Sequence, residues 1–330
     1  MAATPDLQPP PLDSPRDEPS NTWASGVILA GTYPWSNSRF DRLLTRPLIP
    51  VANRPLIGYA LSSLRRAGIA RGTICGNRNT RAVGAWLESH RGEEPDLSYL
   101  EDPMPRGSAG CVLDVAAAEN SRTFVVTNGT AIPNLDLSAL LKSHQTSGAD
   151  ATVVVYSEPR SSGHVSRIPV GVYVFEGDAL RTLPRQGFLD IKEHLIPMLV
   201  RDGGRVVTYE GSGTLLPIWN HQTYLAANEF VVESMASSVE APDGYERRGD
   251  VLIHDDASVA DDVVLAGPIL IAAGATVRSG AVLIGPTSIG LDVTVEAGAL
   301  VSRSAVWRRS SIRAGACVDR AVIGDDSVVD

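Results

Sequence analysis

A six-residue repeat fills the C-terminal part of the chain and limits its fold more than any other feature. An aliphatic residue recurs at every sixth position, and small or β-branched residues follow four positions later. This period fits neither the 3.6 residues of an α-helix nor the two residues of a strand, and it is typical of a parallel β-helix rather than a β-sandwich. Three hexads make one triangular coil with the aliphatic residues inside. These residues are Ile253, Val259, Leu265, Ile271, Val277, Leu283, Ile289, Val295 and Val301.

The phase of the repeat changes once. It slips by one residue after Val301 and resumes at Val306, Ile312 and Val318, which predicts a bulge or small loop. The printed sequence stops in mid-repeat at 327–330. Because an uncovered apolar prism end is an association surface, we expect an oligomer.

A different pattern precedes the repeat. From about Trp23 to Val232, apolar strand-like runs alternate with amphipathic helices, which is typical of a layered α/β domain with a mostly parallel sheet. The predicted strands are 26–30, 72–75, 123–127, 152–156, 170–175 and 205–210. The predicted helices are 56–67, ending at Gly68, and 81–89, 109–118, 137–144 and 189–201. We therefore divide the chain into a disordered proline-rich leader (1–22), an α/β domain (23–235), a linker (236–250) and a β-helix (251–330).

Composition excludes several classes of function. The net charge of −9 disfavours nucleic-acid binding, which needs a basic face. Apolar runs are strand-sized, so no membrane span is expected, and the leader has no signal-peptide core. Cys75, Cys111 and Cys317 lack metal-ligand spacing and are expected to be buried thiols of a reduced cytoplasm.

Several segments in order resemble the sugar-phosphate nucleotidyltransferases, in particular the mannose-1-phosphate guanylyltransferase and ADP-glucose pyrophosphorylase branch. They include "RPLIPVANRPLIGYALSSLRRAGI" (46–69), "EDPMPRGSAG" (101–110) and "TFVVTNGTAIPNLDLSALLKSH" (123–144). The resemblance implies a Rossmann-like domain with a mostly parallel mixed sheet, followed by a left-handed β-helix. It also implies a reaction in which a sugar 1-phosphate attacks the α-phosphorus of a nucleoside triphosphate, so that the protein mainly positions the reactants and neutralises charge.

The phosphate loop of that family departs from its pattern in this chain. After the strand ending at Ala30 and Gly31, a glycine-rich loop with an arginine would wrap the triphosphate, but Thr32–Trp35 is bulky and includes a proline without an N–H. Arg39 and Arg42 are interpreted as solvated charges. Arg46 stands where the family has a phosphate-binding lysine, and its planar fork is a poor substitute for an ammonium group.

The magnesium ligands implied by the resemblance are also missing. The family's two aspartates correspond to Thr130, in Asn128–Gly129–Thr130, and to Pro217. Neither residue carries the negative charge that Mg²⁺ requires. Asp102 and Asp136 are the nearby acids that could substitute. We therefore expect no metal site, and Mg²⁺ only if the chain is an active enzyme.

The sugar site is reduced and the base site is kept. The family's Glu-Lys-Pro segment is missing after 152–156, and Lys192 is interpreted as a solvated helix residue. The segment 106–110 resembles the family's base-contacting Gly-Thr-Ala-Gly, although a helix start of this kind is also a capping motif. The resulting nucleotide-binding candidates are Ala30, Gly31, Arg46, Gly107, Ser108, Ala109, Gly110, Asn128 and Gly129.

Three functions remain open. The first is a catalytically silent or weak homologue that acts as a regulatory or assembly subunit, or as a sugar-nucleotide sensor. It would form a homo-oligomer or a hetero-oligomer with an active nucleotidyltransferase through the β-helix, in the cytoplasm. The second is an active sugar-1-phosphate nucleotidyltransferase with a rebuilt site. The third is a hexapeptide acyltransferase, for which only His254 lies on the prism.

Overall fold

The computed structural model describes residues 21–31, 45–90, 96–102, 104, 106–159, 165–184, 187–211 and 215–330. The predicted leader, apart from its last two residues, and the loop 32–44 with Arg39 and Arg42 lie outside these residues.

The first part of the chain is the predicted α/β domain. Its described strands are β1 (Ala24–Leu29), β2 (Pro50–Val51), β3 (Arg54–Pro55), β4 (Arg71–Asn77), β5 (Asp96–Asp102), β6 (Thr123–Asn128), β7 (Ala131–Pro133), β8 (Ala151–Pro159), β9 (Val165–Glu176), β10 (Val206–Glu210) and β11 (Leu215–Pro217). Its described helices are α1 (Leu56–Arg66), α2 (Arg81–Ser89), α3 (Gly107–Ala118), α4 (Leu137–Ser147), α5 (Gly177–Arg181), α6 (Ile196–Arg201) and α7 (His221–Ser237). Gly68, with φ 70°, follows α1 as predicted.

The main described sheet has the strand order β10-β8-β9-β6-β1-β4-β5. Strand β9 runs antiparallel to β6 and β8, and the other neighbours are parallel, which confirms the mostly parallel mixed sheet. Apolar cores cover both faces: one contains residues of α1, α2 and α4, and the other contains residues of α3 and α5. A strand between two such cores must be apolar on both sides, as β1 and β6 are.

Several described elements have no counterpart among the predicted ones: the short strands β2, β3, β7 and β11 and the helices α5 and α7. Two further differences concern the main sheet and the segment before α6. The edge strand β5 was not predicted, because its alternating polar pattern has no apolar run. The helix predicted at 189–201 instead begins as a π-helical turn at Ile191–Leu195 that leads into α6, with Asp190 as its N-cap. The carboxylate of Asp190 accepts the N–H groups of Lys192 and Glu193, so the helix cannot include residues 189 and 190.

The repeat forms the predicted parallel β-helix. Its strands are β12 (Tyr245–Arg248), β13 (Val251–His254), β14 (Ser258–Val259), β15 (Val264–Ala266), β16 (Ile269–Ile271), β17 (Thr276–Val277), β18 (Val282–Ile284), β19 (Thr287–Ile289), β20 (Thr294–Val295), β21 (Leu300–Ser302), β22 (Ala305–Val306), β23 (Ser311–Ile312), β24 (Cys317–Asp319), β25 (Val322–Ile323) and β26 (Val328–Val329). The predicted interior residues from Ile271 to Val301 are all buried, with exposures of 0 or 1%.

The prism has three faces. The domain face is β12-β13-β16-β19-β22-β25, the polar face is β14-β17-β20-β23-β26, and the apolar face is β15-β18-β21-β24. Each strand pairs in parallel with the strand one coil later, and β12 pairs antiparallel with β13. The expectation that all three cysteines are buried is right only for Cys75, because Cys111 is half-buried and Cys317 is exposed. Cys317 occupies an outward position of β24 opposite Leu300.

The phase slip is a shortened corner. Ile271 pairs with Ile289, 18 residues on, whereas Ile289 pairs with Val306, 17 residues on. Where Gly285 and Pro286 turn the preceding coil, Arg303 alone makes the turn, with a left-handed φ of 45°. The slip therefore removes one residue from a corner of the prism. It is not the bulge or small loop that the sequence predicts.

Helix α7 joins the two parts. Its buried residues Tyr224, Ala227 and Val231 pack in one cluster with outward-facing residues of the domain face, among them Leu252 and Leu270. The predicted linker 236–250 contains the end of α7 and all of β12. The β-helix is therefore packed against the α/β domain over an apolar interface.

Candidate functional site

The candidate site lies at the carboxyl ends of β1 and β6. These strands are parallel neighbours and Leu29 is in register with Asn128, so Ala30–Gly31 and Gly129–Thr130 leave the sheet side by side. Ligands of open α/β sheets bind at such strand ends. The structure therefore brings the phosphate-loop candidates Ala30 and Gly31 together with the candidates Asn128 and Gly129.

Backbone donors at these strand ends are already used. The N–H groups of Ala30 and Gly31 both donate to the carbonyl oxygen of Cys75, at 2.8 and 3.0 Å, and the N–H of Gly129 donates to Leu29, at 3.0 Å. A backbone amide has a single proton to donate. These amides therefore hold the strand ends together instead of pointing at a phosphate.

Asn128 closes a local turn at the position of one family aspartate. Its Oδ1 atom accepts the backbone N–H of Thr130 at 2.8 Å and the hydroxyl of Thr130 at 2.6 Å. Both side chains are half-buried. The neutral amide oxygen thus has two internal donors, and the threonine hydroxyl has an acceptor within the turn.

The second aspartate position lies next to the first. Strands β7 and β11 pair antiparallel, and Pro217 is in register with Ala131, the residue after Thr130. The positions that hold Mg²⁺ in the family are therefore adjacent in space here, as a metal site would require. They carry a threonine and a proline, so this pair supplies no anionic oxygen.

The two nearby acids serve as backbone caps. Asp102 accepts the N–H groups of Met104 and Arg106, at 3.1 and 2.9 Å. Asp136 caps α4 by accepting two of its first N–H groups. Within the part of the chain that the structure describes, no group of three or more His, Cys, Asp or Glu residues has a metal-binding arrangement. The described residues of this site do not fit a magnesium ion.

The start of α3 is closed by the segment before α6. The N–H of Ala109 donates to the Leu189 carbonyl at 2.9 Å, and the N–H of Gly110 shares that oxygen at 3.4 Å. The Ser108 hydroxyl donates to Asp190 at 2.9 Å and accepts the N–H of Ile191 at 3.0 Å.

Gly107 makes this close approach feasible. Its φ is +84°, and an added Cβ would overlap the Leu189 carbonyl oxygen. The segment 107–110 therefore forms an internal cap. Sequence reasoning missed its partners Leu189 and Asp190, although an aspartate just before a helix is a visible N-cap signal.

Arg46 lies at the start of the short turn Arg46–Leu48 and is 9% exposed. Its carbonyl accepts the N–H of Ile49 at 3.2 Å. A buried guanidinium is uncommon in protein interiors. The Arg46 side chain is therefore packed within the domain and has little solvent exposure.

Two thiols lie beside the strand ends. A hydrogen bond with Cys111, together with burial, raises the pKa of Cys75 well above its usual value, and the same hydrogen bond lowers the pKa of Cys111. The Cys111 thiol also lies 4.0 Å from an Asp102 oxygen. Cys75 is accordingly protonated at neutral pH and behaves as a small buried residue.

His254, the residue required for the acyltransferase alternative, lies at the first coil. Its ring packs edge-on against Tyr245, with centroids 5.0 Å apart, and its Nδ1 atom accepts the N–H of Asp256 at 3.1 Å. These contacts join β12 to β13 and cover the start of the prism.

Comparison with known proteins agrees with this architecture. Residues 25–164 match the family model described as nucleotidyl transferase. Mannose-1-phosphate guanylyltransferase of Mycobacterium tuberculosis is 27% identical over 249 residues, which cover 67% of each chain. A probable mannose-1-phosphate guanylyltransferase of Oryza sativa is 22% identical over 334 residues, which cover 92% of this chain and 86% of the relative.

A solved structure has the same fold. A putative glucose-1-phosphate thymidylyltransferase from Bacillus anthracis superposes with a TM-score of 0.54 at 18% identity, over 63% of this chain and 94% of its own. None of the helices that the structure describes is both long and apolar enough to cross a membrane. The sequence motifs, the matching family model and these relatives together show that the chain is similar to the sugar-phosphate nucleotidyltransferases over most of its length.

Proposed function

We propose that this chain is a catalytically silent member of the sugar-phosphate nucleotidyltransferase family that serves as a regulatory or assembly subunit. The observation that carries the proposal is that Thr130, which directly precedes β7, lies beside Pro217 on β11, at the two positions where the family's aspartates would hold Mg²⁺. The two positions lie side by side, as a shared metal ion would require, and neither residue supplies an anionic ligand.

The energetic consequence is large. A metal ion on phosphoryl oxygens contributes several kcal/mol to stabilising the transition state. Since each 1.36 kcal/mol changes a rate about tenfold, losing it lowers turnover by about three orders of magnitude or more. The backbone amides of Ala30, Gly31 and Gly129 offer no compensation, because they donate within the chain.

Nucleotide binding without turnover would make the subunit a sensor. The candidate residues for such binding stay predictions; they are Ala30, Gly31, Arg46, Gly107, Ser108, Ala109, Gly110, Asn128 and Gly129. Because two of the relatives are mannose-1-phosphate guanylyltransferases, GTP, GDP-mannose and mannose 1-phosphate are the first ligands to test. The proposed partner is a further copy of this chain or an active nucleotidyltransferase in the cytoplasm, bound through the β-helix.

Calorimetry with matched variants tests the metal site separately from turnover. GTP is titrated into the wild type with and without Mg²⁺, and we expect the two isotherms to be the same. In Thr130→Asp combined with Pro217→Asp, two carboxylates return to adjacent positions, so we expect nucleotide affinity to become dependent on Mg²⁺. The neutral pair Thr130→Asn and Pro217→Asn is the control. Strong Mg²⁺ dependence in the wild type would contradict the proposal.

A further inference from the structure

An apolar ladder runs along the outside of the apolar face. The strand registers stack four outward side chains on successive coils: Val264, Val282, Leu300 and Cys317. Val264 is 54% exposed, and Ile284, on the neighbouring ladder, is 38% exposed. Three of the four residues in the ladder are aliphatic, although they point away from the core.

The other two faces show that the β-helix itself does not require this ladder. On the polar face the corresponding outward residues are Ser258, Thr276, Thr294, Ser311 and Val328, four of them hydroxylic. On the domain face the outward residues Leu252 and Leu270 are apolar, and the α/β domain covers them. On the domain face, outward apolar residues are therefore explained by the domain that packs on them. Within the described structure nothing packs on the outward apolar residues of the apolar face.

We propose that a second copy of this chain covers the apolar face, with the two prisms antiparallel about a two-fold axis that runs along the strand direction. This symmetry places the first coil of one copy opposite the fourth coil of the other. Val264 then faces Cys317 of the second copy, and Val282 faces Leu300. The four-residue ladder is complementary to itself in this order, as an isologous interface requires.

The charges at one corner of the prism have the same complementarity. The corner that leads into the apolar face carries Asp261 and Asp262 on its first coil, Arg278 on the second, Glu296 on the third and Arg313 on the fourth. Backbone hydrogen bonds from Arg278 to Val295 and from Glu296 to Ile312 keep these coils in register. The charge order along the prism is therefore negative, positive, negative, positive.

Reversal of this order pairs opposite charges along the corner. In the antiparallel dimer the turn with Asp261 and Asp262 lies beside Arg313 of the second copy, and Arg278 faces Glu296. Within each copy Arg313 already contacts Glu296, at 3.6 Å, so the dimer would add a second acidic neighbour to Arg313. At the other corner Arg303 and Arg320 face the uncharged turns that contain Gly285 and Gly267. A parallel dimer would instead place the like charges Arg313 and Arg320 opposite each other on the fourth coil and the opposite charges Glu296 and Arg303 on the third, so that its favourable and unfavourable pairs balance. Since rim charges mainly set orientation, this pattern selects the antiparallel arrangement.

The dimensions of the face predict a weak dimer. Strands about 4.8 Å apart give the four-stranded ladder a height of about 14 Å, which is small for a specific interface. We therefore expect dissociation in the micromolar range. This dimer rests on the proposed role as an assembly subunit and specifies the face that assembles. The tests below measure association and not activity, so the dimer can be disproved without bearing on catalytic silence, and the reverse.

Sedimentation velocity of the full chain tests the face. The wild type should dimerise as its concentration rises to about 100 μM, a range suited to a small interface. Val282→Arg places an unpaired charge at the centre and should raise the dissociation constant at least about tenfold. Thr294→Arg, on the polar face of the neighbouring sheet, is the matched control and should dimerise like the wild type. A monomeric wild type, or equal dimerisation of both variants, would overturn the inference.

Charge reversal and crosslinking test the orientation. Arg278→Glu should weaken the dimer, and the pair Arg278→Glu with Glu296→Arg should restore it, because the opposite charges face each other again. With a short bismaleimide, Val264→Cys should crosslink to the native Cys317 of the second copy, and adding Cys317→Ser should remove the product. Crosslinking of the wild type through Cys317 alone to the same extent would show a parallel dimer and overturn the antiparallel arrangement.

Discussion

The indole N–H of Trp307, on the β-helix, donates a 2.8 Å hydrogen bond to the hydroxyl of Tyr224, on α7. That hydroxyl donates in turn to the carbonyl of Pro50, at 2.6 Å, and the two rings pack edge-on with centroids 5.9 Å apart. Burial raises the pKa of Tyr224, so the phenol stays protonated and keeps its donor. A continuous chain of hydrogen bonds therefore connects the β-helix, α7 and β2.

Removing the Tyr224 hydroxyl should destabilise the whole molecule. Tyr224→Phe leaves the Trp307 indole N–H and the Pro50 carbonyl buried without this partner, which costs about 1–3 kcal/mol of unfolding free energy. Urea unfolding followed by tryptophan fluorescence measures the loss. Tyr209→Phe, remote from this junction, serves as the control. Equal stability of Tyr224→Phe and the wild type would show that the hydrogen bond contributes nothing.

His144 should make stability depend on pH. Its ring is buried and contacts Thr152 and Glu176, at 2.7 and 3.1 Å. Burial lowers the pKa of His144, and Glu176 opposes this shift only in part.

The unfolded chain therefore binds a proton at this histidine more readily than the folded chain does. The stability contribution is fully present above the unfolded pKa of about 6.5 and is lost as the pH falls through the lower folded pKa. Urea midpoints measured between pH 8 and pH 5 should decrease with acidity. The decrease should be smaller in His144→Gln and unchanged in the control His221→Gln, which alters an exposed histidine. An identical slope in His144→Gln would assign the pH dependence to other groups.

Gly107 and Gly148 should respond differently to the same substitution. Both have left-handed φ values, +84° and +61°, but an added Cβ overlaps Leu189 at Gly107 and has no atom within 4 Å at Gly148. We expect Gly148→Ala to cost about 1 kcal/mol, the strain of the left-handed conformation alone. Gly107→Ala should cost at least about 2 kcal/mol, because the segment before α6 must also move. Equal costs, measured by thermal unfolding, would argue against the tight cap on α3.

The two parts of the fold were predictable for different reasons. In the hexad repeat each interior position follows from its distance in sequence to the one before it. Ile271 and the later interior positions could therefore be assigned from spacing alone. The sheet of the α/β domain followed from its apolar runs, except for β5, whose edge position leaves it polar. Helix α7 as the cover of the domain face was not predicted, because nothing local in its sequence identifies the surface it meets.

For the candidate site, the family resemblance predicted which sequence positions belong to it but not the contacts that their side chains make. The resemblance indicated Thr130 and Pro217, and the pairing of β7 with β11 places them together. The contacts of Ser108 with Asp190 join residues 82 positions apart. No local pattern links such a pair, so the closed start of α3 required the structure.

The proposed silence of the site requires that no metal-assisted transfer takes place, and one assay tests this requirement directly. The purified full chain is incubated with Mg²⁺, GTP and mannose 1-phosphate, then with the other nucleoside triphosphates and sugar 1-phosphates, and released pyrophosphate is measured over hours. We predict release at the rate of the protein-free control. Pyrophosphate release that needs Mg²⁺ and a sugar 1-phosphate, and that Arg46→Ala abolishes, would show an active transferase and contradict the account.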